Sequence, residues 1–224
     1  MSPALIFVIL LTFLFLLSNI TSQSLGLLTY SLTKSKKAAV LTLAAIFLPG
    51  TVVHEFAHAA VAQGLGIYVG EIDLIPKVEG QHIKLGSVQV AQTDPIRHFL
   101  IGIAPLIIGF LIIFTTIGIY SKFELTGFLA SAILFYILFQ IGNTMFSSKR
   151  DMEGTIELAI AITLVLGFLY IIGIKQIFSF AISASSHLLP FFKMSNQLLL
   201  KIIVIDLVVI GIAKLFNKPI KFQA

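Results

Sequence analysis

Two histidines and a glutamate lie within five consecutive residues of an apolar stretch, as His54, Glu55 and His58. On a helix the two histidines are separated by about 400° of rotation and about 6 Å of rise, so both imidazoles project from one face and can share one Zn²⁺. Glu55 lies roughly 100° round the helix, where it can take a proton from a water bound to the metal. The spacing predicts a zinc site able to hydrolyse a peptide bond.

The apolar surroundings of these residues strengthen the prediction, because the same spacing occurs by chance in helices that bind no metal. Ionisable side chains inside a membrane span are costly to bury and are usually functional. A proton or ion relay is the main competing use of the two histidines. The sequence favours zinc binding and leaves the relay open.

A catalytic zinc site needs a third protein ligand and an open fourth position. The chain has no cysteine, so this ligand must be a histidine or a carboxylate, and the candidates are Asp73, His82, His98, Glu124, Asp151, Glu153, His187 and Asp206. Asp151 is favoured because it directly follows a predicted span that ends on the same face as His58. His98 remains the alternative ligand. Asp206 lies deep in the last span, with Lys201 as a possible partner.

The composition places these residues in a membrane protein. Charged residues make up 11% of the chain, hydrophobic residues 58%, and the mean hydropathy is +1.04, whereas a soluble domain has roughly a quarter of its residues charged. We expect one all-α polytopic domain over residues 1–224, with its core at 38–154, in a cell membrane of the prokaryotic type. The net charge of +5 lies between apolar segments, where anionic lipid and topology explain it without a nucleic-acid partner.

Apolar runs predict about six transmembrane helices, each long enough for about 30 Å of hydrocarbon. They are Pro3–Ser22, Ala38–Gly66, Ile96–Tyr120, Leu125–Phe146, Thr155–Ile174 and Gln197–Phe216. Gln176–Phe192 is shorter, and is either a thin span, a re-entrant piece or an interfacial helix. In every orientation the C-terminal ends of the second and fourth spans share a face, so His58 and Asp151 can meet.

Val69–Thr93, between the second and third spans, has a different pattern. Apolar and polar residues partly alternate there, and Pro76, Gly80 and Gly86 interrupt them. This pattern predicts short β-strands joined by turns, which form a membrane-associated β-hairpin over residues 69–93.

Two polar residues of the fourth span, Gln140 and Asn143, are three residues apart and share a helix face. Hydrogen bonding between helices and contact with a substrate both account for them. Gly102 and Gly109 of the third span are interpreted as points of close helix packing.

The run from His54 to Ile67, HEFAHAAVAQGLGI, resembles the first signature of the site-2 protease family of intramembrane zinc metallopeptidases. Gly102–Leu106 resembles the Ala-Gly-Pro-Leu stretch of that family, with Ala104 in place of its glycine. Asn143, eight residues before Asp151, resembles the family's Asn…Leu-Asp-Gly motif, although the prolines between them are missing and Asp-Met-Glu-Gly replaces Leu-Asp-Gly-Gly. The resemblance covers roughly residues 54–154.

The resemblance implies that His54, His58 and Asp151 bind Zn²⁺, that Glu55 activates water and that Asn143 lies close to the substrate. It implies a membrane-embedded peptide or protein as substrate, held in extended form by a β-segment such as Val69–Thr93. Two other functions stay open: a metal- or proton-coupled transporter that uses the same histidines, and a catalytically silent membrane scaffold.

Overall fold

The computed structural model describes residues 2–74, 77–79, 82–84, 86–124, 127–146, 151, 163–165, 167–173 and 188–216. These residues are mostly helical and include a small antiparallel β region, in agreement with the predicted class. Three of the described helices are long and apolar enough to cross a membrane, namely Pro3–Thr33, Lys36–Gly64 and Pro95–Tyr120. They correspond to the first three predicted spans and indicate a membrane protein.

Helix α1 runs from Pro3 to Thr33 and is longer than the predicted span, which ended at Ser22. Ser2 caps its start by accepting a hydrogen bond from Leu5 N–H, and proline is well suited to the first helical position. The polar residues near position 22 do not end the helix, because Thr21 and Ser24 are buried within the bundle. Lys34 follows the last helical residue as its C-cap, with a left-handed φ of 55°.

Helix α2 runs from Lys36 to Gly64 and carries the two predicted metal-binding histidines in its C-terminal half. The Ser35 hydroxyl caps its start by accepting a hydrogen bond from Ala38 N–H. Pro49 lies inside the helix, five residues before His54. Since proline has no N–H and its ring crowds the preceding turn, the helix lacks the hydrogen bond to the Ala45 carbonyl just before the histidines.

The segment after α2 forms the strands that its alternation predicted. They are β1 (Val69–Asp73), β2 (Lys77–Glu79), β3 (His82–Lys84) and β4 (Ser87–Val90). Strand β1 pairs antiparallel with β4, and β2 pairs antiparallel with β3. The predicted hairpin is therefore nested, with the β2–β3 pair enclosed in sequence between β1 and β4.

Helix α3 (Pro95–Lys122) and helix α4 (Phe128–Thr144) follow the β region. Asp94 caps α3, and the hydrogen bonds that it accepts, first that from Arg97 N–H, lower the pKa of its carboxyl group. Helix α4 has 17 residues, fewer than the span predicted at Leu125–Phe146. It ends at Thr144, and Asp151 is the next described residue after 146.

Helix α5 runs from Leu189 to Phe216 and contains the predicted last span. Its start corrects the sequence interpretation, because residues 189–192 belong to α5 and not to the separate segment Gln176–Phe192. The rest of that segment lies almost wholly outside the described residues. So does most of the predicted span Thr155–Ile174, of which residues 163–165 and 167–171 are helical.

The five helices pack around a shared apolar core. The N-terminal ends of α1 and α5 lie together, because the Asn196 amide donates to the Pro3 carbonyl at 2.9 Å and the Phe7 and Phe192 rings are 5.5 Å apart. The buried cluster between the helices includes Leu14, Ile113, Leu138, Leu199 and Ile202. The C-terminal end of α4 lies beside the C-terminal half of α2, as the predicted topology required.

Candidate metal centre

The imidazoles of His54 and His58 face one another on one side of α2. Their ring centroids are 4.8 Å apart, and their Nε2 atoms are 3.1 Å apart. The side chains are largely enclosed, with exposed fractions of 12% for His54 and 4% for His58. The helical spacing therefore brings both Nε2 atoms to one point, as predicted.

A backbone carbonyl group holds each ring by its other nitrogen. His54 Nδ1 lies 2.5 Å from the Thr144 carbonyl oxygen, and His58 Nδ1 lies 2.7 Å from the Ile101 carbonyl oxygen. A carbonyl oxygen only accepts, so each Nδ1 must carry the hydrogen. In the neutral imidazole Nε2 is then the atom with a free lone pair, which is the form that binds a metal.

Both carbonyl groups are available for a reason that lies in the sequence. Thr144 is the last residue of α4, and the last carbonyl groups of a helix have no partner within it. The Ile101 carbonyl would normally accept from the N–H of residue 105, but that residue is Pro105, which has none. A helix end and a proline thus supply the two acceptors that fix the histidine rings.

Asp151 completes the cluster. Its Oδ2 atom lies 3.6 Å from His58 Nε2 and 3.9 Å from His54 Nε2. The prediction that His58 and Asp151 meet is confirmed. Gly102 allows this approach, because a side chain at that position would meet the Asp151 carbonyl oxygen. With 26% of its side chain exposed, Asp151 is the most accessible of the three residues.

The cluster has the dimensions of a metal site. The point equidistant from the three atoms lies about 2.1 Å from each, which matches Zn–N and Zn–O bond lengths. Two Nε2 lone pairs that face each other at 3.1 Å repel unless a cation or a shared proton lies between them. His54, His58 and Asp151 therefore form a triad suited to hold a metal ion.

The other predicted ligand candidates lie apart from this triad. Among the described residues, it is the one group of three or more such side chains close enough to share an ion, and His98 does not belong to it. The Nε2 atom of His98 is buried. Glu153 and His187 lie outside the described residues.

Glu55, the predicted base, is buried on α2 next to His54 and lies against the β region. A Cβ atom added to Gly86 would lie 3.1 Å from Glu55 Cγ, 3.1 Å from Glu55 Oε1 and 2.7 Å from Thr51 Cγ2. The backbone just before β4 therefore covers Glu55. The sequence predicted the strands but not this contact, whose signal was the glycine itself.

Asn143, predicted to lie close to a substrate, bonds to α5 in the structure. Its Nδ2 atom donates to the Phe139 carbonyl oxygen at 2.9 Å and to Asp206 Oδ1 at 2.7 Å. Both of its N–H groups are thus engaged. Asp206 is fully buried and bonds to Asn143, whereas the sequence had suggested Lys201 as its partner. The structure therefore favours the interhelical interpretation of Asn143.

No protein-family model, no curated protein and no solved structure matches this chain. A proposal for its function therefore depends on the residues and geometry of the site.

Proposed function

We propose that this chain is an intramembrane zinc metalloprotease, similar to the site-2 proteases, that hydrolyses peptide bonds of membrane-embedded substrates. One observation carries the proposal: two Nε2 atoms and a carboxylate oxygen converge, while both Nδ1 atoms are held by carbonyl groups. In this proposal His54, His58 and Asp151 hold Zn²⁺. Two histidines and one carboxylate form a ligand set found in catalytic zinc sites, which leaves a position open for substrate.

The role of Glu55 separates hydrolysis from other metal chemistry. Two histidines and a carboxylate also bind Fe(II) in oxygenases, but a further carboxylate outside the ligand set supports a hydrolase. When bound, Zn²⁺ would polarise a carbonyl group and activate water at neutral pH. The Glu55 carboxylate would accept a proton from the attacking water at one of its Oε atoms and return it to the leaving amine.

The β region offers a means to hold an extended substrate. A peptide bond in a membrane helix is shielded by the hydrogen bonds of that helix, so the helix must unwind before cleavage. Strands β1 and β4 form a two-stranded sheet beside Glu55, and each has an outer edge without a strand partner among the described residues. Addition of the unwound segment to such an edge would satisfy its backbone groups.

A proton relay or transporter is the second candidate, because an Nε2 to Nε2 distance of 3.1 Å also suits a shared proton. A relay or transporter needs a path of polar groups through the helices. In the apolar helix α4 the side chains of Gln140 and Asn143 already bond to α2 and α5, respectively, which argues against such a path. A catalytically silent scaffold is the third candidate. Asn143 adds nothing to the hydrolytic role, since both of its N–H groups are engaged.

Replacement of Glu55 by glutamine tests the proposal, because the amide cannot accept the proton. The purified full-length chain is loaded with zinc, and its metal content and its cleavage of labelled single-span peptides are measured in liposomes. We expect one zinc per chain in both proteins, with cleavage by E55Q lower by about 10²- to 10⁴-fold.

Four outcomes would contradict the proposal in whole or in part. Undiminished cleavage by E55Q would exclude Glu55 as the base, and a wild-type chain that stays metal-free after loading would exclude the zinc site. A wild-type chain that holds zinc and cleaves none of the peptides would support the scaffold, and metal-dependent uptake into the same liposomes would support the transporter.

A further inference from the structure

The helix that carries the histidines lacks one backbone hydrogen bond just before them. Pro49 of α2 has no N–H to donate to the Ala45 carbonyl, and the turn that follows leads directly to His54. Backbone groups beside such a proline are stabilised by partners outside the helix, since unpaired groups are costly in an apolar interior. The orientation of His54 therefore depends on what holds this turn.

The amide of Gln140, on α4, supplies those partners. Gln140 Oε1 accepts from Gly50 N–H at 3.2 Å, and Gln140 Nε2 donates to the Ile46 carbonyl oxygen. In a regular helix an N–H and a carbonyl group at this spacing pair with each other. The Tyr136 hydroxyl also donates to the Ile46 carbonyl, at 3.3 Å. One buried side chain thus binds both ends of the turn that contains Pro49.

The same end of α4 also holds His54. The Thr144 hydroxyl donates to the Gln140 carbonyl oxygen at 2.8 Å, and the Thr144 carbonyl accepts from His54 Nδ1. The two helices approach closely because position 50 is glycine: a Cβ atom there would lie 2.9 Å from Thr144 Cγ2 and 3.0 Å from the Gln140 carbonyl oxygen. Helix α4 therefore contacts α2 at two points, about one turn apart.

We propose that Gln140 is a positioning residue for the metal centre: its amide fixes the turn of α2 that contains Pro49 against α4, so that His54 Nδ1 meets the Thr144 carbonyl and His54 Nε2 points at the ligand site. This inference rests on the proposed metal centre. It assigns to Gln140 neither contact with the metal nor contact with a substrate.

Metal affinity tests this role more directly than activity does. The full-length chain in lipid nanodiscs is titrated with Co²⁺ and Zn²⁺ against a chelator, and unfolding is followed separately. Q140M keeps the length of the side chain and removes both hydrogen bonds. We expect its metal dissociation constant to rise about 10- to 100-fold, as for other residues that orient a metal ligand.

Asn196 provides the matched control, since it is also a buried amide that bonds to a carbonyl group of another helix, at Pro3. N196L should lower stability as Q140M does and leave the metal dissociation constant within about twofold of the wild type, because α5 supplies none of the triad. Equal loss of affinity in both variants, or unchanged affinity in Q140M, would overturn the inference.

Two further variants apply if Q140M does not fold. Q140E keeps an acceptor for Gly50 N–H, and Y136F removes only the weaker of the two bonds to Ile46. Each should weaken metal binding by less than the histidine variants do, and unchanged affinity in both would overturn the inference. Absence of metal from the wild type would overturn the proposed function as well, whereas a metal-binding wild type with unaffected variants overturns this inference alone.

Discussion

The bundle contains two buried polar clusters that differ in how their atoms are arranged. In the triad of His54, His58 and Asp151, three atoms with lone pairs converge and no donor lies among them. In the pair of Asn143 and Asp206, an amide N–H points at a carboxylate oxygen. The first arrangement needs a cation or a shared proton, whereas in the second the amide already donates to the carboxylate. Polar residues in an apolar bundle are therefore not equivalent, and the direction of donors and lone pairs separates a ligand site from a structural contact.

The largest difference between the clusters should appear when a ligand is removed. H58A takes away one of the three atoms proposed to bind the metal, and we expect metal affinity to fall by at least about 10³-fold. Chelator competition measures this, and far-UV circular dichroism controls for folding. Metal binding by H58A at wild-type strength would place the ion elsewhere.

A smaller effect should follow when Pro105 is replaced. P105A gives the Ile101 carbonyl a helical N–H partner that competes with His58 Nδ1, so metal affinity should fall by about tenfold while the helix becomes no less stable. Gly118, on the same helix and with open space around it, provides the control G118A. An equal change in metal affinity in both variants would show that the proline has no special role.

The Asn143–Asp206 pair should affect stability alone. N143L removes the partner of a fully buried carboxyl group, and we expect the free energy of unfolding to fall by about 1–3 kcal/mol. Denaturant unfolding in detergent measures it, with metal affinity recorded in parallel. Loss of metal comparable to that of H58A would mean that the two clusters act as one site.

The smallest effect is expected for D206N. Asn143 Oδ1 and Asp206 Oδ2 have no hydrogen-bond partner among the described residues, and an amide at position 206 replaces the unpaired Oδ2 with an N–H donor and removes an ionisable group from the interior. Stability should stay within about 1 kcal/mol of the wild type. A large loss in the same unfolding assay would show that the carboxyl group has a further role.

The sequence predicted one of these clusters better than the other. Helical periodicity was sufficient for His54 and His58, and the order of spans brought Asp151 to the same face. The Asn143–Asp206 contact could not be predicted, because it joins residues 63 positions apart and no local pattern specifies which helices are neighbours. The carbonyl groups of Ile101 and Thr144 were missed because every residue has a carbonyl group. A proline and a helix end mark these two carbonyl groups as free acceptors, but they point to the histidines only once α3 and α4 are placed beside α2.

Helix boundaries show the same division between local and tertiary information. Helix α1 continues past Ser22 because other helices cover Thr21 and Ser24. Similarly, α5 begins at Leu189, although the predicted span began at Gln197, and the polar Asn196 inside it is buried against Pro3. In both cases packing determines whether a polar residue ends a helix.

The close approach of Gly86 to Glu55 has an evolutionary consequence. Any side chain at position 86 would displace the β-strand segment, Thr51 or the glutamate, so selection for catalysis at position 55 would also act on position 86. In descendants of this chain, glycine at 86 should persist as long as glutamate at 55 does. A lineage that has lost the glutamate could accept larger residues at position 86. The residues at positions 55 and 86 would then together indicate whether the activity had been kept.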